Sequence, residues 1–199
     1  MEQQNGRLGR PRSERARAAV LHAADDLLVE VGYAAMTLKG IADRAGVGRQ
    51  TVYRWWSTKA EILLEASADD ARQELAVEPA DDPVAELTAY LEALTAFLTR
   101  SHAGAAYRAL IGEAQHDPAV AALLAGDDVI GDSARVILRR VLGVDTCRHT
   151  LDQATASLIG PLFFWLFTGH DPALLDTAAL AETCGRQFAV MSGGGESTG

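Results

Sequence analysis

Residues Leu38 to Trp56 read LKGIADRAGVGRQTVYRWW, and their spacing decides the fold. Two short helices packed at a steep angle need apolar residues where they touch, a small residue at the crossing and a glycine at the turn, where φ is free to be positive. Ile41, Ala45, Val47, Val52 and Trp55 or Trp56 can supply the apolar contacts, Ala42 the small residue and Gly46 the turn. A plain helical hairpin in a bundle core would satisfy the same periodicity, so the remaining residues decide between the two. The second helix leaves Arg49, Gln50, Thr51, Tyr53 and Arg54 free, all donors or donor-acceptors and none acidic. An ordinary solvated face would mix in Glu or Asp. Arginine can bond guanine bidentately and glutamine adenine, threonine can meet a thymine methyl, and tyrosine can bond phosphate. The stretch therefore reads as a helix-turn-helix whose second helix suits a major groove.

Outward from this stretch the chain reads as all-α, with about nine helices. Residues 1–12, with Arg7, Arg10 and Arg12 around Gly9 and Pro11, read as a flexible basic arm that either reaches a minor groove or is simply solvated. Ser13 is a candidate N-cap for a helix to Val31, closed by Gly32. Thr37 caps the first short helix through Arg44, and the second runs from Arg49 to Trp56. Thr58 and Glu61 form a capping-box pair that opens a helix to about Val77. Asp82 followed by Pro83 starts the next, through Arg100. Further helices are expected over 104–115, 119–142, 148–168 and 177–191. The expected organisation is a DNA-binding head over 13–60, a helical body over 61–192 and a disordered tail over 193–199.

Composition bounds the function. The chain has 199 residues, 48% hydrophobic and 23% charged, ordinary values for a folded globular protein. Its net charge of -9 hides a division: residues 1–60 hold 10 Lys and Arg against 6 Asp and Glu, and the rest hold 8 against 21. A basic head on an acidic body lets a polyanion dock one way round. A non-specific architectural DNA protein would be basic throughout. The longest apolar run, Leu158 to Phe167, is 10 residues, half the roughly 20 a membrane span needs. No apolar stretch follows the first basic residues, so no secretory signal and a cytoplasmic location are expected. Cys147 and Cys184 are too few for a disulfide scaffold, and there is no CxxC pair. His116-Asp117 and His170-Asp171 resemble metal-ligand pairs, but adjacent helical side chains diverge, and neither metal nor cofactor is expected. An all-α enzyme would need facing Glu-x-x-His motifs, which the chain lacks, as it lacks GxSxG and the P-loop.

The fragment Gly32 to Leu63 resembles the DNA-binding head of the tetracycline-repressor-like (TetR) family of bacterial regulators. The matching residues are Gly32-Tyr33, Thr37, Ile41-Ala42, Ala45-Gly46-Val47, Thr51-Val52-Tyr53, Trp56, and Lys59 ahead of Ile62-Leu63. Arg54-Trp55-Trp56 departs from the pattern, which often has His and Phe in the last two places. The resemblance implies that Thr37 and Lys39 contact phosphate, that Arg49, Gln50 and Thr51 read base edges, and that Tyr53 bonds phosphate, with Arg54 beside it. Lys59, next to a helix N-terminus, would bind phosphate through its charge and the helix dipole. Trp56, one turn beyond Val52, belongs to the packed face. The resemblance further implies a homodimer whose last two helices pair between subunits, with Leu158, Leu162, Leu180, Cys184 and Phe188 as interface candidates. The double-stranded operator would be an inverted repeat. An unidentified small-molecule effector would enter a pocket in the body, with His102, Tyr107, His116, Phe163 and Trp165 as candidate lining. The function expected is a sequence-specific regulator, a repressor released by that effector.

Overall fold

A computed structural model of the chain describes residues 9–193, with side chains from 13 to 190. Arg7 of the expected arm and residues 194–199 of the expected tail lie outside the described residues. Ten α-helices follow one another: α1 Gly9–Ala35, α2 Leu38–Ala45, α3 Arg49–Trp55, α4 Lys59–Glu74, α5 Pro83–Arg100, α6 His102–Ala114, α7 Pro118–Gly126, α8 Val129–Leu142, α9 Arg148–Phe167 and α10 Thr177–Gly193. A single 3-10 turn spans Pro172–Leu174, and no strand occurs among the described residues.

Two expectations are corrected. The first helix begins at Gly9, so Ser13 is inside it rather than capping it, and residues 9–12 are helix rather than arm. Pro11 sits in the first turn, where a missing N–H breaks no intrahelical bond. The helix expected over 119–142 is two helices, because Asp128 turns its side chain back to accept from the Gly131 N–H at 3.0 Å and caps a fresh start. A Cβ on Gly131 would run into that carboxylate. Elsewhere the ends agree closely: Pro83 opens α5 behind its cap Asp82, and Gly32, at φ 73°, interrupts the helical backbone of α1 where the end was expected.

The described residues form two compact units that do not follow chain order. The first comprises the chain up to Asp70 together with His102–Asp127, and the second comprises Ala71–Ser101 with the chain from Asp128 onward. In the first, α1 packs on α2 and α6, α2 on α3, and α6 on α7. Val20, Ala24, Ile41, Ala42, Val52, Trp56, Ile62, Leu63, Ala106 and Leu110 are buried there.

In the second unit α5 lies against α8, α9 and α10, and α8 against α9. Tyr90 donates its hydroxyl to the Ile130 carbonyl at 3.0 Å. Burial pushes that hydroxyl well above its ordinary range. Glu86, only 3% exposed, is met by Arg140 Nε at 2.5 Å. Pro161 interrupts α9 and leaves the Ser157 carbonyl without its usual i+4 donor. The Cys184 thiol of α10 approaches that oxygen at 3.7 Å. Gly185 lets α10 come close to α5, since a Cβ there would stand 3.1 Å from Val84 Cγ2.

Candidate nucleic-acid interface

The turn between α2 and α3 forms as its residues require. Thr37 Oγ1 accepts from the Gly40 N–H at 3.0 Å, which caps α2. Gly46 takes the left-handed conformation at φ 64°, and its N–H closes back on Ala42 and Asp43. Val47 N–H then reaches the Ala42 carbonyl at 3.1 Å. With Ile41, Ala42, Val52 and Trp56 buried, α3 has one orientation available.

That orientation exposes Arg49, Gln50, Tyr53 and Arg54 on one side of α3, with Thr51 half-buried at its edge. Tyr53 is 55% exposed. Thr37 and Lys39 are exposed at the start of α2. The Thr37 oxygen is engaged as a cap acceptor, which leaves its hydroxyl proton to donate outward. Arg49 pairs with Asp43 at 3.3 Å, with both side chains about half exposed. Such pairs contribute little in water, so an incoming phosphate or guanine meets weak competition. Arg54 lies over the Trp55 ring, its guanidinium carbon 5.6 Å from the centroid.

Two networks behind this face were not read from the sequence. Trp56 Nε1 donates to Glu65 at 2.9 Å, Arg17 Nε reaches the other oxygen of the same carboxylate at 2.6 Å, and the Arg17 guanidinium covers the Trp56 ring at 5.4 Å. The end of α3 is thereby tied to α4 and α1. Partners 48 positions apart leave no local signal.

The second network gives Lys59 partners within the chain. Its ammonium is turned inward, donating to the Tyr33 carbonyl at 2.6 Å and the Met36 carbonyl at 3.1 Å, and it sits 4.1 Å from the Tyr33 ring centroid. It is a clamp between the first turn of α4 and the chain joining α1 to α2. A lysine beside a helix N-terminus also suits phosphate.

The other candidates are also redistributed. Leu158, Leu162, Cys184 and Phe188 are buried inside the second unit of one chain, and Leu180 is half-buried. The first four have no surface left for a second subunit. Their stripe is covered by α5 and α9 of the same chain, and the apolar side chains left exposed on α9 and α10 are instead Phe164, Phe167 and Val190, at 65%, 44% and 76%. The pocket candidates separate too: His102, Tyr107 and His116 belong to the first unit, Phe163 and Trp165 to the second. His102 and His116 are exposed, Trp165 donates to the Asp171 carbonyl at 2.8 Å and stacks on His170, and Phe163 packs on Phe167 at 5.4 Å. Tyr107 is core.

The model of bacterial regulatory proteins of the tetR family matches residues 20–66. An uncharacterized HTH-type transcriptional regulator of Bacillus subtilis, YdeS, is 39% identical over 113 residues, 57% of this chain and 57% of that protein. The match thus spans little more than half of that relative's length. An uncharacterized HTH-type transcriptional regulator of Mycobacterium tuberculosis is 29% identical over 157 residues, 76% of each chain. The crystal structure of the TetR family transcription regulator SCO0332 superimposes with a TM-score of 0.68 at 27% identity, covering 88% of this chain and 97% of the other. Residues 20–66 thus form a DNA-binding domain of the tetR family of bacterial regulatory proteins, and over nearly its whole length the chain resembles a TetR family transcription regulator.

Proposed function

We propose that the protein is a sequence-specific DNA-binding transcriptional regulator that acts as a homodimer and reads an inverted repeat. One observation carries the reading: packing Val52 and Trp56 into the head leaves Arg49, Gln50, Tyr53 and Arg54 exposed together on α3, with no acid among them. Arg49, Gln50 and Thr51 read base edges, and Tyr53, Thr37 and Lys39 hold phosphate. One helix of seven residues offers few base contacts, so two heads must act together, on half-sites about one helical turn apart, ~34 to 36 Å, or a multiple of it. The dimer forms through the outward faces of α9 and α10, with Phe164, Phe167 and Val190 in place of the buried stripe. Repression, lifted by a small-molecule effector, completes the reading and rests on the resemblance to TetR family regulators.

The test is selection of bound DNA from a random duplex pool, followed by footprinting. Enrichment of a sequence with dyad symmetry supports the reading. Enrichment without symmetry, or none at all, overturns it. A reporter driven by the selected operator then separates repression from activation.

A further inference from the structure

The first unit holds a cavity of about 470 Å³ beside the Lys59 clamp. Small organic ligands occupy cavities of roughly 300 to 1,000 Å³. The walls come from Tyr33 after the Gly32 interruption, from the first turn of α4, and from the corner between α6 and α7. Ala60 and Val120 are buried and Leu123 half-buried, so one side is apolar. The other side carries three carboxylates, Glu61, Glu113 and Asp117.

The state of each carboxylate points to what is missing. Glu61 accepts from the Ser57 N–H at 2.7 Å, and Asp117 caps α7 by accepting from the Ala119 N–H at 2.8 Å. Glu113 is half-buried and receives no side-chain hydrogen bond or ion pair among the described residues. The Lys59 ammonium, the cavity's one cation, is taken by the carbonyls of Tyr33 and Met36. Burial, with the charges of Glu113 and Asp117, pushes the Tyr33 hydroxyl up to about 12, so the negative field reaches the ring that forms the wall. A cation set among these carboxylates gains their attraction where the apolar side screens it less than open water. Anions are repelled. A bare metal ion would waste the apolar side, and no group of three His, Cys, Asp or Glu among the described residues is placed to hold one.

We propose that this cavity binds a small organic cation, a protonated amine on an apolar body, with the ammonium at Glu113 and Asp117 and the body against Val120 and Leu123. Occupancy acts on the head. A cation beside Lys59 repels its ammonium and draws Glu61 from Ser57, and both side chains belong to the first turn of α4, the helix that follows the recognition helix α3. Binding therefore loosens the hold of α4 on Ser57 and on the chain joining α1 to α2, and weakens operator affinity. Only this second step rests on the function proposed above.

Calorimetry on the full chain would use 4-phenylbutylammonium, its neutral counterpart 4-phenylbutan-1-ol and the anion 4-phenylbutanoate. One charge-assisted hydrogen bond makes the ammonium about tenfold or more tighter than the alcohol, and the carboxylate is not bound. In Glu113→Gln that preference collapses to near unity. Ala122→Trp, which closes the mouth from an exposed position on α7, abolishes binding while the melting temperature stays within the wild-type range. Equal binding of ammonium and alcohol, or a preference unchanged in Glu113→Gln, overturns the site. With selected operator DNA, saturating ammonium should lower affinity about tenfold in wild type and leave Glu113→Gln unmoved. Binding without that loss overturns the coupling. If no operator can be selected, the DNA-binding function fails while the calorimetry still decides the site.

Discussion

Replacing Lys59 with Met keeps the apolar stem and removes the ammonium, so it isolates the clamp. The structure offers two charge-assisted hydrogen bonds, at 2.6 and 3.1 Å, and a ring contact at 4.1 Å. Hydrogen bonds to charged groups contribute roughly 1.5 to 3 kcal/mol each. Two on one ammonium do not add, the site is only half-buried so water can reach the orphaned carbonyls, and the freed side chain regains up to ~2 kcal/mol of rotamer entropy. The net loss is about 2 kcal/mol. For a chain of this length that lowers the melting temperature by about 4 to 8 °C, read by circular dichroism at fixed protein concentration. A phosphate ligand would behave otherwise: stability would hold, and the slope of log affinity against log salt would fall by ~0.9. Unchanged melting with a reduced salt slope would refute the clamp and restore the phosphate role.

Gln50→Ala should cost roughly 1 to 3 kcal/mol at one operator position and little on scrambled DNA, and Arg49→Ala should lower the salt slope as well; an unchanged operator-to-scrambled ratio for Gln50→Ala removes it from the reading face. Phe164→Glu should fold and sediment as a monomer, while Phe188→Glu, with Phe188 1% exposed, should not fold because it sets an unpaired carboxylate in the core. A dimeric Phe164→Glu would mean that another face holds the subunits together. Burial first, and then the charge of Asp70, raises the Asp25 carboxyl above its ordinary 3.8. The folded state therefore binds that proton more tightly, and the stabilisation it gives is complete below 3.8 and lost as pH rises through the folded value. Asp25→Asn should raise the melting temperature at neutral pH and give no gain below pH 3.8, and a gain independent of pH refutes this. Arg140→Met abandons a carboxylate that is 3% exposed, and a loss of about 3 kcal/mol is expected in urea unfolding.

The helix-turn-helix was legible because its constraints are local. A cap at Thr37, a left-handed Gly46 and an apolar Val52 all act within a few positions of one another, and burying Val52 and Trp56 determines which side of α3 remains outside. The break at Asp127-Asp128 was hidden because apolar spacing continues across it. Its one local trace is an aspartate three residues before a glycine. On α10 the stripe of Cys184 and Phe188 announced burial correctly, but periodicity says only that a face is covered. It was α5 of the same chain that covered it. Lys59 illustrates the same limit at the site, since its acceptors lie 23 and 26 positions away.

The discontinuous make-up of the first unit governs how this protein can be cut and rejoined. The side of α1 that packs on α6 stays bare on a ribosome until the segment that begins at His102 emerges, after the 31 residues from Ala71 to Ser101 have followed Asp70. A gene fusion that transplants the reader onto another sensor at a single junction after the helix-turn-helix would therefore deliver an unfinished piece. A graft respecting the unit takes two segments, with the excursion from Ala71 to Ser101 left to the recipient.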